Sequence, residues 1–234
     1  MAEAQAAELP RPSGSRRRTV GRALLYAGVP AAAWYGVLVG TGILIGGPLL
    51  AGVADAEDGL VTGLEAARTP LWDMLTHGAS WVANTATIVL TALAIGLALR
   101  PLVGRWLESF LLWAGVALQS TVFLLTTLVV SRERPAVELL DPAPPTSSFP
   151  SGHTGAATAL YLGLGVVVAS RIERRWLRVA VVAVLALVPL AVGLSRLYRG
   201  MHHPSDVVFG VLNGIAAVSI VRFATFHGIE ADRR

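Results

Sequence analysis

Long apolar runs separated by short polar segments dominate the chain. Each run is long enough to supply the ~20 residues that a helix needs to cross a bilayer. Pro30 and Pro48 fall within the first run without reducing it below that length. The pattern predicts an all-α, polytopic membrane bundle, a single domain over residues 23–226, with six transmembrane helices at about 23–54, 80–99, 106–130, 153–169, 176–194 and 204–226.

The segments outside the runs are polar. Residues 1–22 contain Arg16, Arg17 and Arg18 and are typical of a disordered basic tail, and residues 227–234 of a short C-terminal tail. The arginine run also resembles a twin-arginine export signal, but the apolar run after it is too long for one. Residues 55–79 are acidic and predict a loop with a short interfacial helix near Trp72.

The composition places the chain in the membrane class. It is 54% hydrophobic and 15% charged, with a mean hydropathy of +0.62, whereas soluble domains carry about 25% charged residues. The absence of cysteine excludes disulfides and thiolate chemistry, and all 19 basic residues are arginine, which excludes a catalytic lysine. The net charge of +4 is distributed in short clusters between apolar runs. The expected partners are therefore membrane lipids and not nucleic acid.

The arginines also predict the orientation. Fourteen of the nineteen lie in the N-terminal tail, the 100–105 turn, the 171–178 turn and the C-terminal part of the chain. The positive-inside rule assigns these segments to the cytoplasm. We therefore expect a multi-pass cell-membrane protein with cytoplasmic termini, in which the acidic loop and the polar loops 131–152 and 195–206 face the outer side.

The loop SRLYRGMHHPSD, residues 195–206, concentrates charge in an otherwise apolar chain. If a helix begins near Pro204, His202 and Asp206 lie four residues apart and close enough to hydrogen-bond. A carboxylate that holds one ring nitrogen fixes the tautomer and leaves the other nitrogen as a nucleophile or base. His203, three residues from Asp206, is the alternative partner.

The loop 131–152 ends in Pro150-Ser151-Gly152-His153, directly before an apolar helix. Free backbone N–H groups at a helix N-terminus form an anion-binding site. Arg134 and Arg196 add planar, bidentate donors that suit phosphate. The two loops therefore predict a site for a phosphoryl group.

These residues fall into three segments: Arg134-Pro135, then Pro150-Ser151-Gly152-His153, then Ser195-Arg196 followed by His202 and Asp206. Together they resemble the signature of the type 2 phosphatidic acid phosphatase superfamily, the membrane lipid phosphate phosphatases. That family usually has a lysine seven residues before the arginine of the first segment, and here the position holds Thr127. Arg132 or Arg199 is the candidate replacement for the missing cation.

The resemblance implies a metal-independent lipid phosphatase or diphosphatase with no cofactor. In this scheme His202 attacks phosphorus and forms a phosphohistidine, Asp206 orients His202, and His153 protonates the leaving oxygen and then activates water. The implied phosphate-binding residues are Arg134, Ser151, Gly152 and Arg196.

Several functions remain open at this point. A polyprenyl diphosphate of the undecaprenyl type is the favoured substrate, because an outward-facing site suits a lipid carrier whose diphosphate is released on the outer face. Phosphatidic acid or phosphatidylglycerophosphate is the alternative substrate. A vanadium haloperoxidase would share the pocket by family resemblance, but those proteins are soluble and larger. Thr127 also leaves open a non-catalytic phospholipid-binding or transport protein.

Overall fold

The computed structural model describes residues 13–230, and the regular elements in that range are all helical. The α-helices are α1 (Ser13–Ile45), α2 (Ala51–Ala66), α3 (Pro70–Val82), α4 (Thr85–Val103), α5 (Leu107–Val129), α6 (Gly152–Ala169), α7 (Arg175–Tyr198) and α8 (Pro204–Ala224). A short 3₁₀ turn at Pro48–Leu50 precedes α2, and a π-helical turn at Thr225–Glu230 follows α8.

Six of the helices are long and apolar enough to cross a membrane. They are α1 from Leu25 onward, α4, α5, α6, α7 and α8, the last together with the turn that follows it. This confirms the predicted all-α bundle with six candidate spans. The five spans from α4 to α8 begin and end within about five residues of the predicted bounds, since apolar runs of this length identify a spanning helix directly.

The polar segments differ from the prediction. Helix α1 begins at Ser13, so the second half of the segment predicted as a disordered tail is helical, while residues 1–12 and 231–234 lie outside the described residues. The acidic segment predicted as a loop with one short helix forms most of α2 and most of α3. Helix α3 has the expected start signals, since the Thr69 side chain accepts a hydrogen bond from the Trp72 amide and Pro70 occupies the first turn.

Helix α6 lies at the centre of the bundle and packs against α5, α7 and α8. The contact with α8 is close because small residues face each other there. A Cβ on Gly210 of α8 would lie 2.6 Å from the Ser151 carbonyl oxygen, and one on Gly214 would lie 2.7 Å from the Gly155 carbonyl oxygen. Glycines allow helix backbones to approach in this way inside a membrane. The first turns of α6 and α8 are thereby held side by side.

Helices α2 and α3 cover the end of the bundle where α6 and α8 begin. The Arg68 guanidinium donates to the Tyr198 carbonyl oxygen at 3.2 Å, and the Thr69 amide donates to the Tyr198 hydroxyl at 2.9 Å. The α7–α8 turn contains Gly200 at φ +73°, where a Cβ would meet Val137 at 2.7 Å. The α2–α3 pair, the loop 130–151 and the 199–203 turn therefore gather at one end of the bundle.

Candidate active site

The end of the bundle where α6 and α8 begin encloses a cavity of about 680 Å³, a size typical of ligand sites. Five of the seven site residues predicted from the sequence line it: Arg134, Gly152, His153, Arg196 and His202. They come from the loop 130–151, the start of α6, the end of α7 and the turn before α8. The fold therefore brings together residues that lie up to 68 positions apart in the sequence.

His202 and Asp206 are close, as the spacing predicted, but they are not directly hydrogen-bonded. His202 Nδ1 lies 3.6 Å from Asp206 Oδ2 and donates to the Ser148 carbonyl oxygen at 2.8 Å. The reason is that His202 precedes α8, while Asp206 Oδ2 accepts the backbone N–H of His203 at 2.8 Å as part of a capping box. The Ser148 carbonyl fixes the Nδ1–H tautomer, so His202 Nε2 carries the free lone pair.

His203 has a different environment. Its Nδ1 lies 3.3 Å from Asp206 Oδ2, its Nε2 lies 3.0 Å from Asp58 Oδ1, and the ring does not line the cavity. With both ring nitrogens facing carboxylates, His203 has no lone pair directed at the cavity. The geometry therefore favours His202 over His203 as the nucleophile.

Burial lowers the pKa of His202 below its ordinary value, because the ring loses water; Asp206 opposes this shift, and the positive charges of Arg196 and Arg134 add to it. A lowered pKa keeps the imidazole neutral near pH 7. A neutral imidazole is the form that can attack phosphorus.

The two arginines of the site are held firmly. Arg134 donates to the Met201 carbonyl oxygen at 2.6 Å. Arg196 Nη1 donates to Asp141 Oδ2 at 2.6 Å and to Ser80 Oγ at 2.7 Å, and its buried Nε has no hydrogen-bond partner. A buried donor without a partner is unusual and suggests that a ligand oxygen completes the site.

Asp141 is a site residue that the sequence analysis missed. Its carboxylate lines the cavity and accepts hydrogen bonds from Arg196 and, in a bidentate manner at 2.6 and 2.8 Å, from Arg199. Burial alone would raise its pKa, but the hydrogen bonds and the charges of the two arginines lower it overall. It is one of three carboxylates in a proline-rich loop, with Glu133 and Glu138, and nothing in the local sequence indicates which of them binds the arginines.

The predicted role of Ser151 is not supported by its contacts. Ser151 is fully buried, its hydroxyl lies 3.0 Å from Thr154 Oγ1, and its amide donates to the Asp206 carbonyl oxygen at 2.8 Å. Ser151 therefore joins α6 to α8 and does not present a donor to the cavity. Gly152 and His153 do line the cavity, and their amides belong to the first helical turn, which has no intrahelical acceptor.

Neither proposed replacement for the missing lysine lines the cavity. Arg199 is engaged by Asp141, by the Leu140 carbonyl at 2.8 Å and by the Asp73 carbonyl at 3.1 Å. Arg132 lies behind Asp206 and donates to that carboxylate. Thr127 bonds its own helix, donating to the Leu124 carbonyl oxygen at 2.8 Å. The cavity therefore relies on Arg134 and Arg196.

Comparison with known proteins gives a family match. Residues 109–227, half of the chain, match the family model of the PAP2 superfamily. The decaprenylphosphoryl-5-phosphoribose phosphatase of Mycobacterium tuberculosis is 32% identical over 111 residues, a match that covers 46% of this chain and 56% of that protein. The chain thus aligns with little more than half the length of this curated relative.

Two solved structures share the fold. The transmembrane PAP2-type phosphatidylglycerolphosphate phosphatase of Bacillus subtilis superposes with a TM-score of 0.70 at 19% identity, over 88% of this chain and 94% of that one. LpxE of Aquifex aeolicus superposes with a TM-score of 0.57 at 24% identity, over 70% and 93% of the two chains. At these identities the similarity establishes the six-span fold and leaves the substrate open.

Proposed function

Because the chain belongs to the PAP2 superfamily, we propose that it is a metal-independent membrane phosphatase that removes a terminal phosphate from a polyprenyl-linked lipid. The observation that carries the proposal is the cavity, in which His202, His153, Arg134 and Arg196 face one space. A neutral imidazole, a second histidine and two guanidinium groups form a suitable set for phosphoryl transfer.

The proposed reaction has two steps. His202 Nε2 attacks phosphorus, a nitrogen–phosphorus bond forms, and the ester oxygen leaves with a proton from His153. His153 then takes a proton from water, and the resulting hydroxide attacks phosphorus, which breaks the nitrogen–phosphorus bond and releases inorganic phosphate. Arg134 and Arg196 stabilise the charge that spreads over the phosphoryl oxygens in both steps.

The walls of the cavity support a lipid substrate. Below the polar residues, the lining consists of apolar side chains of α4 and α5, including Ile88, Val89, Phe123 and Leu124. Val89 and Leu124 are 47% and 54% exposed on the outside of the bundle, where the bilayer would lie. A long hydrocarbon chain can therefore lie between α4 and α5 while its head group occupies the polar part of the cavity.

Two head groups are candidates. The Mycobacterium tuberculosis relative acts on a decaprenylphosphoryl-5-phosphoribose according to its name, which favours a phosphomonoester on a polyprenyl-linked sugar. An outward-facing site, expected from the arginine distribution, favours a polyprenyl diphosphate instead. We give preference to the phosphomonoester on a sugar, since the Asp141 carboxylate in the cavity can accept hydrogen bonds from the hydroxyl groups of a sugar and would repel a phosphate bonded directly to the terminal one.

The test is phosphate release by the purified protein from a panel of lipids, in EDTA. The panel contains polyprenylphosphoryl-5-phosphoribose, polyprenyl diphosphate, phosphatidic acid and phosphatidylglycerophosphate, with His202→Ala as the inactive control. We expect the highest kcat/KM for the phosphoribose lipid, and undiminished rates in EDTA. Equal or faster hydrolysis of the diacylglycerol lipids would refute the substrate class, and no release from any lipid would favour the non-catalytic alternative.

A further inference from the structure

Glu57 is a buried carboxylate on an otherwise largely exposed helix. It is 9% exposed, and in α2 only Val61 is also buried. Glu57 Oε2 accepts from Arg132 Nη2 at 2.6 Å and from the Ser205 hydroxyl at 3.0 Å, and Oε1 accepts from the Ser205 amide at 2.6 Å. A buried carboxylate is costly unless it is paired in this way. The contacts tie α2 to the first turn of α8.

Arg132 connects Glu57 to the carboxylate of Asp206. Its Nη1 donates to Asp206 Oδ1 and, at 2.7 Å, to the Ser205 hydroxyl, while Nη2 reaches Glu57. A planar guanidinium can hold two carboxylates at fixed positions. Because one cation is shared between two anions, Asp206 keeps negative charge that acts on His202, whose Nδ1 lies 3.6 Å away.

Asp58, the next residue of α2, holds the other neighbour of Asp206. It lies 3.0 Å from His203 Nε2, and His203 contacts Asp206 Oδ2 through its amide at 2.8 Å and its Nδ1 at 3.3 Å. Asp206 Oδ1 is therefore bound by Arg132, which Glu57 holds, and Asp206 Oδ2 is bound by His203, which Asp58 holds. The pair Glu57–Asp58 lies outside residues 109–227, so the family match does not account for it.

We infer that Glu57, supported by Asp58, is a positioning residue for phosphoryl transfer that fixes the geometry and the charge of Asp206 behind His202. The inference rests on the proposed function, in which His202 is the nucleophile. Glu57 itself does not line the cavity, so its removal should affect turnover and leave substrate binding nearly unchanged.

The test compares Glu57→Gln with Asp55→Asn, a variant that removes the same charge from an exposed position of the same helix. Glu57→Gln should lower kcat by about ten- to a hundredfold, the range that small displacements of catalytic groups produce, with KM within about twofold of the wild type. Asp58→Asn, at a half-exposed residue, should give a smaller loss of kcat. Wild-type kcat in Glu57→Gln, or a change confined to KM, would overturn the inference.

A second readout does not depend on turnover. The groups facing His202 are Asp206 of α8, His153 of α6, Arg196 of α7 and Arg134 of the loop 130–151. Without the negative charge of Glu57, the positive charge of Arg132 is balanced by Asp206 alone. The net charge behind His202 becomes more positive, which disfavours the imidazolium form of His202. An NMR titration should therefore show a lower His202 pKa in Glu57→Gln than in Asp55→Asn, and equal values would refute the inference.

The two readouts separate the inference from the proposed function. If the wild type is inactive but the His202 pKa is lower in Glu57→Gln than in Asp55→Asn, the phosphatase proposal is refuted, while the role of Glu57 in fixing the charge of Asp206 behind His202 is supported. If Glu57→Gln does not fold, Glu57→Asp keeps the charge with a shorter reach, and it should give a reduced kcat at normal KM. Wild-type kcat in a folded Glu57→Asp and in Asp58→Asn would then refute the inference.

Discussion

A methyl group at Gly210 should disturb the alignment of α6 and α8. The Cβ in Gly210→Ala would lie 2.6 Å from the Ser151 carbonyl oxygen and 3.2 Å from Ser151 Cβ. A normal carbon–oxygen contact is about 3.3 Å, so the two helices must separate by about 0.7 Å. The Ser151 amide donates a hydrogen bond to the Asp206 carbonyl oxygen across this interface. Because His153 lies in the first turn of α6 and His202 precedes α8, separation of the two helices moves His153 relative to His202.

Both stability and turnover should respond. Overpacking of this kind costs about 1–3 kcal/mol, and a displacement near 1 Å in a catalytic site costs about a hundredfold in rate. We therefore expect Gly210→Ala to lower kcat by about tenfold or more. It should also lower the unfolding temperature in detergent. The assay is phosphate release at saturating lipid, measured alongside thermal unfolding of the same preparation.

Gly165→Ala is the matched control. It lies in α6, and its Cβ would meet only Leu185, at 3.8 Å, which is an ordinary contact. It should keep wild-type kcat and equal or higher stability, because alanine favours a helix by up to about 1 kcal/mol over glycine. If Gly210→Ala matches Gly165→Ala in both measurements, the close approach of α6 and α8 does not set the geometry of the site.

Three further predictions concern the nucleophile, its titration and the membrane orientation. His202→Ala should abolish phosphate release, whereas His203→Ala should retain measurable turnover and still form a phosphoenzyme; a phosphohistidine trapped on His203 would reverse the assignment. Because burial lowers the pKa of His202, the acid limb of kcat/KM should lie below the ordinary histidine value of about 6.5, and a limb above that value would contradict the assignment. Ala143→Cys should react with a membrane-impermeant maleimide in intact cells and Ser170→Cys only after lysis, both positions being exposed; the reverse pattern would place the site in the cytoplasm.

The sequence predicted the spans well and the acidic segment poorly, for physical reasons. An apolar run of bilayer length has one stable outcome in lipid, so the bounds of α4 to α8 follow from local pattern alone. Carboxylates between two spans are typical of a solvated loop, and nothing local shows that Glu57 is buried. Its burial depends on Arg132, 75 residues later, whose guanidinium pairs with it.

In the candidate site, too, the sequence predicted some features and not others. Motif spacing predicted that His202, His153, Arg134 and Arg196 would meet, because each lies at a helix end or in a loop at the same end of the bundle. It could not predict the orientation of individual groups. Ser151 faces Thr154 because α8 approaches within van der Waals contact, and His202 donates to Ser148 because Asp206 is occupied by the capping box.

The threonine at position 127 bears on the charge of the substrate. Asp141 joins Arg196 and Arg199 into a group with one net positive charge, and Arg134 adds a second. A phosphomonoester carries close to two negative charges at pH 7, since its second pKa is about 6, and this cavity can balance them. In a diphosphate the further charge lies directly beside the terminal phosphoryl group, and Thr127 supplies no cation to balance it. In a polyprenylphosphoryl-5-phosphoribose the second phosphate lies on the far side of the sugar, which supports the proposed phosphomonoester.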